Sequence, residues 1–182
     1  MRPMRPKPLM PILMVIAFSW VCKKVDSSNI IGDMSLPEAP RVVLDTNVLV
    51  AAARSAGGAS FSIVRAVPAR RFELLVSVPL MVEYEAVLKR PEHMAGRRPH
   101  DVEAFLTLIS RRATPVLLHT LWRPQARDPA DDMVLETALN GRADALVTFN
   151  QRDLARPARL FKLPVYTPGA FWQALQMENP HG

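Results

Sequence analysis

From residue 41 onward, short runs of aliphatic and β-branched residues alternate with stretches whose apolar residues recur at helical spacing. That alternation leaves few folds open. Val42–Leu44, Phe72–Val76, Pro115–Leu118, Ala145–Thr148 and Leu163–Tyr166 read as strands. Val48–Ala53 reads as a helix ending near Gly57 and Gly58. Ser60 opens a second helix, with Phe61, Val64 and Val67 on one face until Pro68. A third has Pro79 in its first turn and stops before Pro91. Asp101–Arg112 turns Val102, Phe105, Leu106 and Ile109 to one side. Pro129–Leu139 is closed by Asn140 and Gly141. Thr167 and Pro168 start a last helix carrying Phe171, Trp172 and Leu175. Strands alternating with helices imply a parallel sheet covered on both faces. The expected fold is therefore α/β, a three-layer α/β/α sandwich with a central parallel sheet of about five strands. Right-handed crossovers bring every strand's carboxyl end to one edge.

The first forty residues follow different rules. Arg2, Arg5 and Lys7 precede an apolar stretch from Leu9 to Cys22, in the manner of a signal peptide. The stretch is shorter than the roughly 20 residues of a spanning helix. No small-x-small cleavage site follows it. Residues 1–40 are read as leader and linker, with translation of the functional protein beginning near Met34. A signal or membrane anchor and a genuine extra helix are the alternatives. Residues 41–177 form the domain, and 178–182 a tail. The formal charge is +6, and residues 1–33 contribute +3 of it from five basic and two acidic residues. The domain is thus only mildly basic, which permits nucleic-acid contact without demanding it. The lone Cys22 allows no disulfide within the chain and fits a reducing, cytoplasmic setting.

Chemistry concentrates in the acids at strand ends. Asp45 directly follows the first strand, at the edge where open α/β sheets place their ligand crevice. A carboxylate there must be solvated, paired or metal-bound. A plain helix N-cap is the simpler alternative. Thr46 and Asn47 can brace it. Glu83 lies about one turn into the third helix, beside the stripe of Leu80, Tyr84, Val87 and Leu88, whereas Glu85 is expected in solvent. In Asp128-Pro-Ala-Asp131-Asp132, Asp128 reads as a cap, Asp132 as facing the core side and Asp131 as its alternate. After the fourth strand come Thr148, Asn150 and Asp153, the last heading the next turn. Converging carboxylates point to a divalent-metal site. His93, His100, His119 and His181 fall in expected loops or at the terminus, which argues against a histidine site. There is no Gly-x-Ser-x-Gly elbow or phosphate loop. A haloacid-dehalogenase-like phosphatase would need Asp at position 47, where this chain has Asn.

Four segments in order resemble the PIN domain family of metal-dependent ribonucleases: Val43-Leu-Asp45-Thr-Asn47, Ser77-Val-Pro-Leu-Met-Val-Glu83-Tyr, Asp128-Pro-Ala-Asp-Asp132 and Thr148-Phe-Asn150-Gln-Arg-Asp153. The likeness is to the VapC-like toxins of bacterial toxin–antitoxin pairs and spans residues 41–175. It implies an endoribonuclease using Mg²⁺ or Mn²⁺, with acidic ligands at Asp45, Glu83 and Asp132. Many relatives of this type carry Asp two residues after the Thr. Here that residue is Asn150, a neutral donor that lowers the site's charge, with Asp153 as a substitute. Thr46, Asn47, Thr148 and Asn150 would support the ligands. RNA phosphates would need cations, for which Arg97, Arg98 and Arg152 lead, ahead of Arg54, Lys89 and Arg90. The resemblance further implies a small antitoxin partner and a homodimer. Asn150 also keeps open a catalytically weak domain that binds RNA or protein.

Overall fold

The structure, a computed structural model, describes residues 40–93, 99–121 and 129–178. The leader, Arg97, Arg98, Asp128 and the tail beyond residue 178 lie outside the described residues. All described elements belong to the unit Met34–Gly182. In chain order they are β1 (Arg41–Leu44), α1 (Thr46–Arg54), α2 (Ala59–Ala66), β2 (Glu73–Ser77), α3 (Val78–Leu88), α4 (Pro99–Arg112), β3 (Thr114–Val116), α5 (Pro129–Asn140), β4 (Ala145–Val147), α6 (Gln151–Leu160), β5 (Val165–Tyr166) and α7 (Pro168–Glu178). No helix among the described residues is long and apolar enough to cross a membrane.

The five strands form one parallel sheet in the order β3-β2-β1-β4-β5. This is the expected α/β/α sandwich. A strand buried on both faces should be apolar at successive positions rather than alternate ones. β1 meets that demand, with Val42, Val43 and Leu44 all at 0% exposure. It sits at the centre, pairing Val42 with Leu74 of β2 on one side and with Ala145 of β4 on the other. The chain builds leftward from β1 to β3, then returns to lay β4 against β1's free side. The strand order therefore reverses between β1 and β4, and the crevice beyond their carboxyl ends is where this architecture binds ligands. α5 is the crossover that makes the return, and it packs over β1, β2 and β4.

Local chemistry explains the element ends. Ser77 accepts from Leu80 N at 3.3 Å and caps α3, with Pro79 in the first turn. Its hydroxyl meets Thr137 of α5 at 2.7 Å, and Thr137 in turn donates to the Met133 carbonyl at 2.7 Å. With that proton committed, Ser77 is the donor to Thr137. Both side chains are buried, so the pair locks α3's start to the middle of α5 at little polar cost.

Two features depart from expectation. Residues 151–160 form a helix, α6, although Pro157 lies within it and only Leu154, Pro157 and Ala158 are buried. A short polar segment containing proline gives little helical signal in sequence, because proline supplies no N–H to the preceding turn; burial of that narrow stripe outweighs the lost bond. Asp153 lies in the first turn of α6. His100, expected in a loop, lies in α4.

The exit from α5 is also built differently. Ala143 N donates to Ala138 O at 2.8 Å and Arg142 N to Leu139 O at 3.1 Å, with Arg142 at φ 49°. This is a Schellman ending whose left-handed residue is an arginine. Gly141 is needed for close approach instead. A Cβ there would lie 2.8 Å from the Thr137 carbonyl and 2.9 Å from both Leu75 and Val116. Gly141→Ala should cost about 1–3 kcal/mol in chemical denaturation, whereas Gly57→Ala, with nothing within 4 Å of the new methyl, should stay within about 0.5 kcal/mol.

Candidate functional site

Asp45 occupies the β1–β4 reversal. Its backbone N continues the pairing by donating to Val147 O at 2.9 Å. Its side chain caps α1 and is only 6% exposed. Thr148, the residue that follows β4, donates from Oγ1 to Asp45 Oδ2 at 2.5 Å. Asn47 Nδ2 donates to the same oxygen at 2.5 Å and to Thr148 Oγ1 at 3.2 Å. Asn47 N reaches Oδ1 at 3.5 Å. Capping and bracing thus coexist, so the N-cap role does not displace a functional one. These donors are all uncharged. Burial holds the Asp45 carboxyl above the ordinary aspartate range, and the hydrogen bonds from Thr148, the Asn47 and Thr46 backbone and the Asn47 side chain oppose that rise.

The network continues outward. Asn150 N donates to Thr148 Oγ1 at 2.8 Å, and Asn150 Nδ2 donates to Asp131 Oδ2 at 3.1 Å. Phe149 N donates to Asn47 Oδ1 at 3.3 Å. One connected set therefore runs from Asp45 through Thr148 and Asn150 to the first turn of α5. Asp131, the alternate in the sequence reading, is the residue that meets Asn150. Asp132 is beside it at 4% exposure. Glu136, one helical turn beyond Asp132, is 1% exposed. Sequence reasoning passed over Glu136, although its i+4 spacing from Asp132 was the available signal.

Other expected residues sit less centrally. Glu83 and Asp153 are half-buried on α3 and α6. Glu85, expected in solvent, has a side chain 16% exposed and accepts from Lys89 Nζ at 2.6 Å. That pair occupies Lys89, while Arg54, Arg90 and Arg152 are exposed. Among the described residues, no three His, Cys, Asp or Glu side chains converge tightly enough to grip a metal ion by themselves. An apolar cavity of about 430 Å³, with Phe61, Val64, Leu88 and Phe105 in its lining, contains none of these site residues.

Two polar groups of the neighbourhood act in ways the sequence left open. Tyr84, read as part of an apolar stripe, is fully buried and donates its hydroxyl to the Leu44 carbonyl, the last of β1. Burial first, then the charge of Asp45, raises its pKa well above the usual tyrosine value, so it acts as a neutral donor. Thr46, expected to brace Asp45, does so through its backbone. Its Oγ1 is buried without a hydrogen-bond partner among the described residues. A buried carboxylate held only by neutral donors, with the orphaned hydroxyl of the next residue, supplies oxygens of the hard kind. It suits a hydrated Mg²⁺ or Mn²⁺, which keeps several waters and takes few protein ligands.

The sequence profile described as PIN domain matches residues 41–152. No curated protein matches the chain. Among solved structures it is similar to the crystal structure of VapBC2 from Rickettsia felis bound to a DNA fragment from their promoter. The match has a TM-score of 0.51 at 14% identity and covers 70% of this chain and 98% of that one. At that identity the likeness is one of fold.

A raised carboxyl pKa has a definite linkage sign. The unfolded state loses its Asp45 proton first, near the ordinary value of 3.8, so the fold loses stability as pH rises through the higher native value. Without metal, Asp45→Asn should therefore match wild type at low pH and melt a few degrees above it at neutral pH. Added Mg²⁺ should raise the melting temperature of wild type and leave Asp45→Asn unmoved.

Proposed function

We propose, from the premise that this chain belongs to the PIN domain family, that it is a metal-dependent endoribonuclease hydrolysing RNA phosphodiester bonds, and the toxin of a toxin–antitoxin pair. The observation that carries this reading is the buried Asp45, held by neutral donors at the β1–β4 reversal and joined through Thr148 and Asn150 to the acidic first turn of α5. A charge kept there against desolvation is of use when a cation arrives.

The proposed ligands are Asp45, Glu83 and Asp132, with Asp131 as alternate to Asp132 and Asp153 or Asn150 at the fourth position. Such an ion supplies Lewis acidity towards the scissile phosphate and lowers the pKa of a bound water. Thr148 and Asn47 keep the Asp45 carboxylate fixed and ionisable, and Tyr84 fixes the end of β1 beneath it. Arg152, Arg54 and Arg90, together with Arg97 and Arg98, would hold the flanking phosphates against the acidic edge. The structurally similar protein from Rickettsia felis is named VapBC2, in keeping with an antitoxin as the partner here; a homodimer is proposed on the family resemblance alone. The cytoplasm is the matching location.

A second reading is a domain with weak catalysis that binds RNA or protein. The hydrogen bond from Asn150 to Asp131 favours it, because the amide replaces a charge and engages an acid that would otherwise face the cation. One experiment separates the two. RNA cleavage with Mg²⁺ or Mn²⁺ should fall by about a hundredfold or more in Asp45→Asn and Asp132→Asn, and vanish with chelator. Asn150→Asp should tighten metal binding. Equal cleavage by wild type and Asp45→Asn would identify a contaminant and end the nuclease reading.

A further inference from the structure

Phe149 is the one residue of the 148–153 segment that polar chemistry does not explain. It is 56% exposed, a large aromatic ring in water between Thr148 and Asn150, two members of the Asp45 network. Exposed large apolar side chains are ordinary when scattered, but this one stands at the rim of the ligand crevice.

Its backbone is held from both directions. Thr148 N donates to Tyr166 O at 3.0 Å, Phe149 N to Asn47 Oδ1 at 3.3 Å, and Asn150 N to Thr148 Oγ1 at 2.8 Å. The ring is thus presented by fixed backbone, and little ordering would be lost when a ligand meets it. Its neighbours in sequence are Thr148, Asn150, Gln151, Arg152 and Asp153, all polar. A protein-docking face needs contiguous apolar area, and no other exposed large hydrophobic residue falls in this segment. An exposed aromatic whose chain neighbours are all polar, with the exposed cation of Arg152 three residues on, fits one flat ring and one phosphate.

We infer that Phe149 is the stacking platform for an unpaired nucleobase next to the acidic site, with Arg152 taking that nucleotide's phosphate. A base paired in a duplex has no free face to offer, so the platform would act on an unpaired nucleotide. Stacking is tolerant of base identity, so the platform selects strandedness rather than sequence. This rests on the nuclease reading for its substrate but makes a separate claim about binding.

The test uses the full chain carrying Asp45→Asn, so that RNA stays intact, and a short fluorescein-labelled single-stranded RNA of mixed sequence read by anisotropy. Adding Phe149→Ala should weaken binding roughly five- to a hundredfold, while Phe149→Trp should preserve it. A strand of equal length with abasic riboses should bind the Ala variant and its parent alike. The exposed position should leave the melting temperature unchanged, which removes misfolding as the cause. Undiminished RNA binding by the Ala variant overturns the inference, as does an equal loss for the abasic strand. Unchanged RNA affinity with loss of a co-purifying protein would also overturn it and assign Phe149 to a protein interface. Cleavage by the chain with Asp45 intact is measured alongside. Phe149-dependent binding without metal-dependent cleavage would remove the nuclease reading and leave the platform. Cleavage without Phe149-dependent binding would remove the platform alone.

Discussion

The hydrogen bond from Thr148 to Asp45 joins the two strands between which the sheet changes direction. It forms because β1 and β4 are parallel neighbours in register, so it reports the central pairing of the sheet in one contact. It also makes a buried carboxylate tolerable. Desolvation disfavours the charge, and the donors from Thr148 and Asn47 restore part of what water would have supplied. Four further residues of the site are placed by reference to this pair. Asn47 and Asn150 bond to Thr148, Phe149 bonds to Asn47, and Asp131 is reached through Asn150.

The support beneath the pair is buried and hydrogen-bonded. Tyr84 pins the Leu44 carbonyl from below, and Ser77 with Thr137 ties α3 to α5. α5 must lie close to the sheet for its acidic first turn to arrive at the crevice, and Gly141 permits this by leaving room for Leu75 and Val116. The site therefore depends on packing at the far end of the same helix. Partial compensation is chemically apt for a cation site. A carboxylate fully satisfied by cationic partners would have little affinity left for a metal, whereas one with no donors would be protonated and equally inert.

Much of this was legible in the residues. Short continuous β-branched apolar runs such as Val42–Leu44 read as strands buried on both faces, and their alternation with amphipathic helices implies a parallel sheet. The position of Asp45 at a strand end followed from the same pattern. α6 was not legible, since its buried stripe is narrow and Pro157 signals a break. The choice between Asp131 and Asp132 as neighbour to Asn150 was not legible either. Adjacent helical residues differ by about 100°, and which of them meets a group on another element depends on the helix's rotation against the sheet.

What the sequence determined by itself is periodic and local: where strands and helices fall, which residues cap them, and which acids stand at strand ends. Such features follow from backbone sterics and hydrophobic patterning within a few residues. Only the tertiary structure decided that Thr148 would meet Asp45 across 103 positions, that Tyr84 would serve β1 as a polar anchor, and that Gly141 would matter for its missing side chain rather than its backbone angle. Those outcomes depend on strand order and on how α5 seats over the sheet. Both are set by the summed packing of the core, which no single stretch of residues encodes.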